Sequence, residues 1–277
     1  MLLVGTAWGE ETIEQIKDKA LAGDAKAEFH LGARYYTGNG VEKDLAEAVK
    51  WFRKAAEQGH AAAQFNLGAC YERGEGVDKD LAEALKYYRS SAAQANATAQ
   101  TRLGVCYGNG IGVEKDYAEA VAWFRKAAEQ GDAEAQFNMG FYYYNGMGVE
   151  KDLVEAAKWF SKSAEQGHAD AQFHMGVCCW LGSGVKKDYV EAAKWFRKAA
   201  EQGNARAHFN LGTCYEDGEG VKKDLAAALK CYRSAAEQGN RNAQIKLGAC
   251  YANGTGVQKD YAESVKWYRT PAEQGDA

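Results

Sequence analysis

The chain has 277 residues, of which 46% are hydrophobic and 26% charged, with a formal net charge of -4 and a pI near 5.8. That length fits one ordered array or two ordinary domains. The mild acidity, with no basic stripe carrying interleaved aromatics, argues against nucleic acid as a partner, and no stretch approaches the roughly 18 to 20 apolar residues of a membrane span, so no membrane insertion is expected.

In chain order, residues 1–9 stand outside any repeat. Their short apolar run and Ala7-Trp8-Gly9, a small-x-small pattern before Glu10 and Glu11, look like a signal-peptide remnant that lacks its basic start. This points to a periplasmic or secreted protein; the alternative is an ordinary disordered N-terminus on a cytoplasmic one. Residues 10–23 predict an N-terminal capping helix, more polar than its later counterparts, as the end of an array requires.

From residue 24 onward the chain repeats. Leu-Gly or Met-Gly recurs every 36 residues, at Leu31-Gly32, Leu67-Gly68, Leu103-Gly104, Met139-Gly140, Met175-Gly176, Leu211-Gly212 and Leu247-Gly248. A fixed period of this size marks a solenoid whose units hide their apolar faces only against neighbours. Seven units follow, at 24–59, 60–95, 96–131, 132–167, 168–203, 204–239 and 240–275. In the second unit, Ala63, Leu67, Gly68 and Tyr71 form one stripe of a first helix, and Gly74 and Gly76 stop it. Asp80 with Glu83 then resembles a capping box opening a second helix, whose apolar face is Ala84, Tyr87, Tyr88, Ala92 and Ala93. The same pair recurs at Asp44/Glu47, Asp116/Glu119, Asp152/Glu155, Asp188/Glu191 and Asp260/Glu263, and fails where Ala227 follows Asp224. Most second helices end in Glu-Gln-Gly followed by Asp, Asn or His, a C-terminal glycine and then a cap for the next helix. The single proline, Pro271, falls in the last unit, so the architecture reads as all-α.

The repeated motif Ala-x-Ala-Gln-Phe-x-Leu-Gly-x-x-Tyr-x-x-Gly-x-Gly-Val-x-Lys-Asp-x-x-Glu-Ala-x-Lys-Trp-Phe-x-Lys-Ala-Ala-Glu-Gln-Gly resembles the Sel-one-like repeat (SLR) family, relatives of the tetratricopeptide repeats, over residues 24 to 277. The resemblance implies a right-handed superhelical α/α solenoid whose first helices line a concave groove. It also implies an adaptor or scaffold that binds another protein or a peptide segment, with no chemistry and no cofactor of its own. A cysteine-rich, secreted branch of the same family suggests the alternative, a protein that binds cell-wall fragments or β-lactams with weak hydrolysis. That branch staples its helix pairs by disulfides, and Cys214 with Cys231 is the one pair here that could follow it. Five of the seven cysteines, Cys70, Cys106, Cys178, Cys214 and Cys250, recur two residues after the Gly and read as small core residues.

His174 and Cys178, four residues apart on a helix beside Cys179, could present two metal ligands, but no second cluster joins them, and a structural reading is preferred. No Ser-His-Asp set, phosphate loop or His-Glu-x-x-His occurs, so no catalytic residue is expected. Specificity should lie where the copies differ. Units four and five place Phe141, Tyr144, Trp180 and Leu181 where other units carry mostly polar or small residues, on a face shared with Phe137, Asn145 and Phe173. Val177, Thr213 and Phe209 occupy equivalent places on that face. Asn66, Asn138 and Asn210, with His174 in the same slot, resemble the asparagines that clamp a peptide backbone in tetratricopeptide domains. No lysine or arginine carboxylate clamp is evident, so an internal segment is the expected ligand. At the other end, the last unit is expected to leave an apolar face open, and self-association through it is a further expectation.

Overall fold

In a computed structural model, which describes residues 11–273, the chain forms fifteen α-helices and no strand among the described residues. The first, α1 (Ile13–Leu21), is followed by seven pairs. These are α2 (Ala25–Thr37) with α3 (Leu45–Glu57), α4 (Ala61–Arg73) with α5 (Leu81–Ala93), and α6 (Ala97–Asn109) with α7 (Tyr117–Glu129). Then come α8 (Ala133–Asn145) with α9 (Leu153–Glu165), α10 (Ala169–Leu181) with α11 (Tyr189–Glu201), α12 (Ala205–Asp217) with α13 (Leu225–Glu237), and α14 (Arg241–Asn253) with α15 (Tyr261–Glu273). The suspected signal remnant lies outside the described residues. The helices form two compact units, one running to Ala135 and including Met147–Val149, the other made of Gln136–Gly146 and the chain from Glu150 onward.

Each pair is built the same way. A polar residue caps the first helix, as when Asn204 Oδ1 accepts the Ala207 amide at 3.0 Å, and the helix ends on a glycine in the left-handed region, Gly218 at φ 79°. Asp caps the second helix: Asp80 Oδ1 accepts the amides of Ala82 at 2.9 Å and Glu83 at 3.0 Å. The capping box expected from Asp-x-x-Glu is only half formed. The Asp80 amide, which the glutamate should have satisfied, donates instead to Tyr71 O of the preceding helix at 3.0 Å, and the freed Glu83 pairs with Lys86 at 3.1 Å. The tight interhelical turn delivers a backbone acceptor first, and the carboxylate turns to the lysine one turn on. The reciprocal box does form at α1, between Thr12 and Gln15.

The recurring glycine is a contact point. At Gly176 a Cβ would lie 2.5 Å from Cδ1 of Phe196, and at Gly104 2.6 Å from Cδ1 of Phe124, so the paired helices meet ring against backbone. Around this contact sits the core: Leu67, Leu103, Met139 and Leu247 are fully buried, as are the rings of Phe52, Phe124, Phe160, Phe196, Tyr88 and Tyr232. A glutamine ladder ties neighbours together. Gln100 Nε2 donates to Ala92 O of the preceding repeat at 3.2 Å, and Gln130 Nε2 donates to Gln100 Oε1 at 2.7 Å. The same two links hold Gln172 to Ala164 and Gln202 to Gln172, at 3.1 and 2.8 Å.

Candidate functional site

The residues that vary between repeats do not all reach solvent. In the C-terminal unit, Phe173 is buried, and Phe137, Tyr144 and His174 are half-buried in a ring cluster around Phe160. His174 stacks on Phe160 at 5.0 Å and 16°, while Phe137 stacks on His168 at 4.9 Å and 19°. Desolvation, with Arg206 nearby, pushes the His174 pKa down to about 4, so its imidazole is neutral at pH 7. It serves as a flat packing element against Phe160. Asn138 is half-buried, and Asn145, though exposed, donates Nδ2 to Phe141 O at 2.8 Å.

Asn66, in the N-terminal unit, is 0% exposed, which removes it as a clamp for an incoming peptide. The first-helix face there is closed over it, with Phe65, Leu67 and Ala69 buried beside it. The cysteines Cys214 and Cys231 carry free thiols, as do the other five, so the bridge weighed from the family resemblance is not formed. Burial raises both thiols above the ordinary cysteine range, Cys214 to about 12. Among the described residues no group of three or more His, Cys, Asp or Glu could hold a metal, and Cys178 beside His174 is buried.

What the fold does bring together is Trp180, Leu181 and Asn210. They line a largely apolar hollow of about 260 Å³, closed by Val177 of α10, Phe196 of α11, and Phe209 and Thr213 of α12. Trp180 is half-buried, edge-on to Tyr189 at 4.8 Å, whereas Leu181 is 58% exposed at the rim. The hollow therefore lies between repeats five and six, one repeat later than the aromatic count suggested. Phe196 was the wall residue least visible in the sequence. It belongs to a second helix, and its close approach to Gly176 carries it under the groove-side residues, against Phe173 and Trp180.

The asparagine slot also holds two cations, Arg102 and Lys246. Each is occupied by a glutamate of the preceding repeat: Arg102 Nε donates to Glu72 Oε2 at 2.8 Å, and Lys246 Nζ lies 2.9 Å from Glu216 Oε2. Tyr88 and Tyr232 donate their hydroxyls to the same two carboxylates, at 2.7 and 2.6 Å. Burial pulls Glu216 upward, but Tyr232 and Lys246 outweigh it and hold the carboxyl below its usual range. Both cations are thus engaged within the fold and are poor receptors for a free carboxylate.

Paired antiparallel helices of fixed 36-residue period, joined by glycine turns, define an α-solenoid repeat protein. The chain belongs to the Sel1 repeat family, whose model matches seven consecutive copies at residues 25–60, 61–96, 97–132, 133–168, 169–204, 205–240 and 241–276. It is similar to the crystal structure of c5321, a protective antigen present in uropathogenic Escherichia coli strains displaying an SLR fold. That match has 42% identity and a TM-score of 0.89, and covers 96% of this chain and 57% of that one. A Sel1 repeat protein from Oxalobacter formigenes gives 35% identity and a TM-score of 0.77, covering 96% of this chain and 77% of that one. The secretory immunoglobulin A-binding protein EsiB of Escherichia coli O6:H1 is 51% identical over 49 residues, which is 18% of this chain and 10% of EsiB. This chain therefore spans little more than half of c5321, and its match to EsiB is a short stretch. No helix among the described residues is long and apolar enough to cross a membrane.

Proposed function

We propose that this chain is a non-catalytic interaction scaffold that binds an extended segment of another protein, seating an apolar side chain in the hollow between α10, α11 and α12. The observation that carries this reading is the hollow itself. Its walls are apolar, its rim offers the exposed Leu181, and Asn210 and Thr213 supply polar groups at one side for a peptide backbone. The engagement of Arg102 and Lys246 with glutamates favours an internal segment over a free C-terminus. A relative named for binding an immunoglobulin supports a protein as ligand, and with it a place outside the cytoplasm.

Trp180 packs on Tyr189 and Phe196, so removing it would disturb the fold as well as the site. Leu181 is the cleaner probe. Peptides selected on the wild-type protein should carry a recurrent aliphatic or aromatic position, and Leu181→Asp should weaken their binding at least tenfold with an unchanged melting temperature. Undiminished binding by Leu181→Asp and Asn210→Ala alike would remove the hollow from consideration.

A second reading has its own observation. On α15, Tyr261 and Val265 are 65% and 59% exposed, with Tyr268 on the same stripe at 40%, an apolar face suited to a second copy. Light scattering over a dilution series should show association that Val265→Glu abolishes.

A further inference from the structure

Repeat six departs from the prevailing residue of the array at four positions that converge in space, although the serine at the fourth also occurs in repeat two as Ser90. His208 stands where Gln64, Gln100, Gln136, Gln172 and Gln244 stand elsewhere; Ala227 replaces the glutamate of the second helix; Cys231 replaces Trp51, Trp123, Trp159, Trp195 and Trp267; and Ser234 replaces Lys54, Lys126, Lys162 and Lys198. All four line one hollow of about 310 Å³ between α12 and α13, together with Leu211, Tyr215 and Lys230. This hollow is on the opposite side of α12 from Phe209, Asn210 and Thr213, and is separate from the proposed peptide site.

The siblings show what is missing. Trp51, Trp159 and Trp195 are 6 to 8% exposed, and a lysine ammonium sits over each indole at 4.0, 4.1 and 4.3 Å. Trp51 clusters with Leu31 and Tyr35, the counterparts of Leu211 and Tyr215. The lysine one turn before that indole's ammonium is paired in the siblings: Lys50 with Glu47 at 2.8 Å, Lys158 with Glu155 at 3.0 Å, Lys194 with Glu191 at 3.0 Å. In repeat six Ala227 takes the carboxylate away, and Lys230 makes no ion pair among the described residues. His208 Nδ1 is buried without a hydrogen-bond partner. Ring, carboxylate and hydrogen-bond partner are thus absent together, while the walls and one cation remain.

We infer that this hollow is a small-molecule site for a planar aromatic carboxylate, whose ring occupies the place of the sibling indoles and whose carboxylate takes the place of the sibling glutamate beside Lys230. Cys231 reports on occupancy, because it is the one half-exposed thiol in the chain, the other six being buried. Burial holds the Cys231 thiol above the ordinary cysteine range, with Lys230 and Arg197 only partly offsetting it, so the thiol is neutral at pH 7 and the positive charges nearby are not consumed by it.

The probe is indole-3-acetate, with indole as the uncharged control, followed by calorimetry and by the rate of Cys231 alkylation with iodoacetamide. Indole-3-acetate should bind one to one and slow alkylation at least tenfold at saturation, and indole should bind at least tenfold more weakly. Ala227→Glu, which restores the internal carboxylate, should weaken indole-3-acetate about tenfold and leave indole unchanged. Cys231→Trp, which installs the residue of five siblings, should eliminate binding in a protein that folds normally by circular dichroism. The inference is overturned if indole-3-acetate shows no saturable binding, if Cys231→Trp retains it, or if indole binds equally well. Binding confined to a Trp-Glu-containing peptide would overturn it too, by assigning the hollow to a polypeptide.

Discussion

At the scale of single residues, position in the repeat sets chemistry more than residue type does. His174 fills a slot held by asparagine in three other repeats, yet it behaves as a neutral aromatic because it is stacked and desolvated. Its pKa falls from 6.5 unfolded to about 4 folded, so the unfolded chain binds more protons between those values. The associated stability is complete above pH 6.5 and is lost as the pH falls towards 4, on the order of 3 kcal/mol in all. Arg206 lowers and Asp170 raises the same pKa, and His30, His60 and His208 are also lowered by burial and add in the same direction. Urea midpoints at pH 7, 5.5 and 4.5 should therefore decline, and His174→Asn should flatten much of that decline; an equal slope in the variant would refute the assignment. At Gly176 the constraint is steric, since a Cβ meets Phe196 at 2.5 Å. Gly176→Ala should cost about 1 to 3 kcal/mol in chemical denaturation, the usual penalty for overpacking.

At the scale of helices, the periodicity of the chain was a reliable guide and its side-chain partners less so. Repeated Leu-Gly, paired glycines and the capping Asp marked the helices of the seven pairs, even in repeat six where Ala227 breaks the Asp-x-x-Glu pattern, because each signal is local: a contact glycine, a left-handed stop, an N-cap. The capping box failed as an inference because the Asp80 amide found Tyr71 O, a partner that only the folded turn brings near. The same limit applied to the groove. Helical spacing put Phe141, Tyr144, Trp180 and Leu181 on one face, but whether a side chain on that face meets solvent depends on its neighbours in the adjacent helices. Those neighbours bury Asn66 and Phe173 and leave Leu181 free. In α13 the departure from consensus has an energetic reading. Ala227→Glu should add an acidic residue to the first turn and a Glu-Lys pair with Lys230, stabilising the protein by about 0.3 to 1 kcal/mol in low salt. The gain should shrink at 1 M salt, and a salt-independent gain would point to some other cause.

At the scale of the whole molecule, stability is a chain of nearest-neighbour terms, so a missing link is felt where it occurs. The glutamine ladder supplies one such term in several repeats, through Gln64, Gln100 and Gln172. Repeat six lacks it. Gln238 Nε2 turns back to Ser234 O at 3.0 Å, because His208 does not offer the amide oxygen its siblings provide, and His208 Nδ1 remains buried and unpaired. A buried unpaired polar atom costs about 1 to 3 kcal/mol, whereas a restored amide pair contributes about 0.5 to 1.5 kcal/mol. His208→Gln should therefore raise the urea midpoint, and the increase should be local. Hydrogen exchange should slow most in α12 and α13, less in the adjoining α11 and α14, and not measurably in α2 to α5, since coupling passes only between neighbours. Uniform slowing along the chain would mean that the array unfolds as a single cooperative block, and would contradict the nearest-neighbour account.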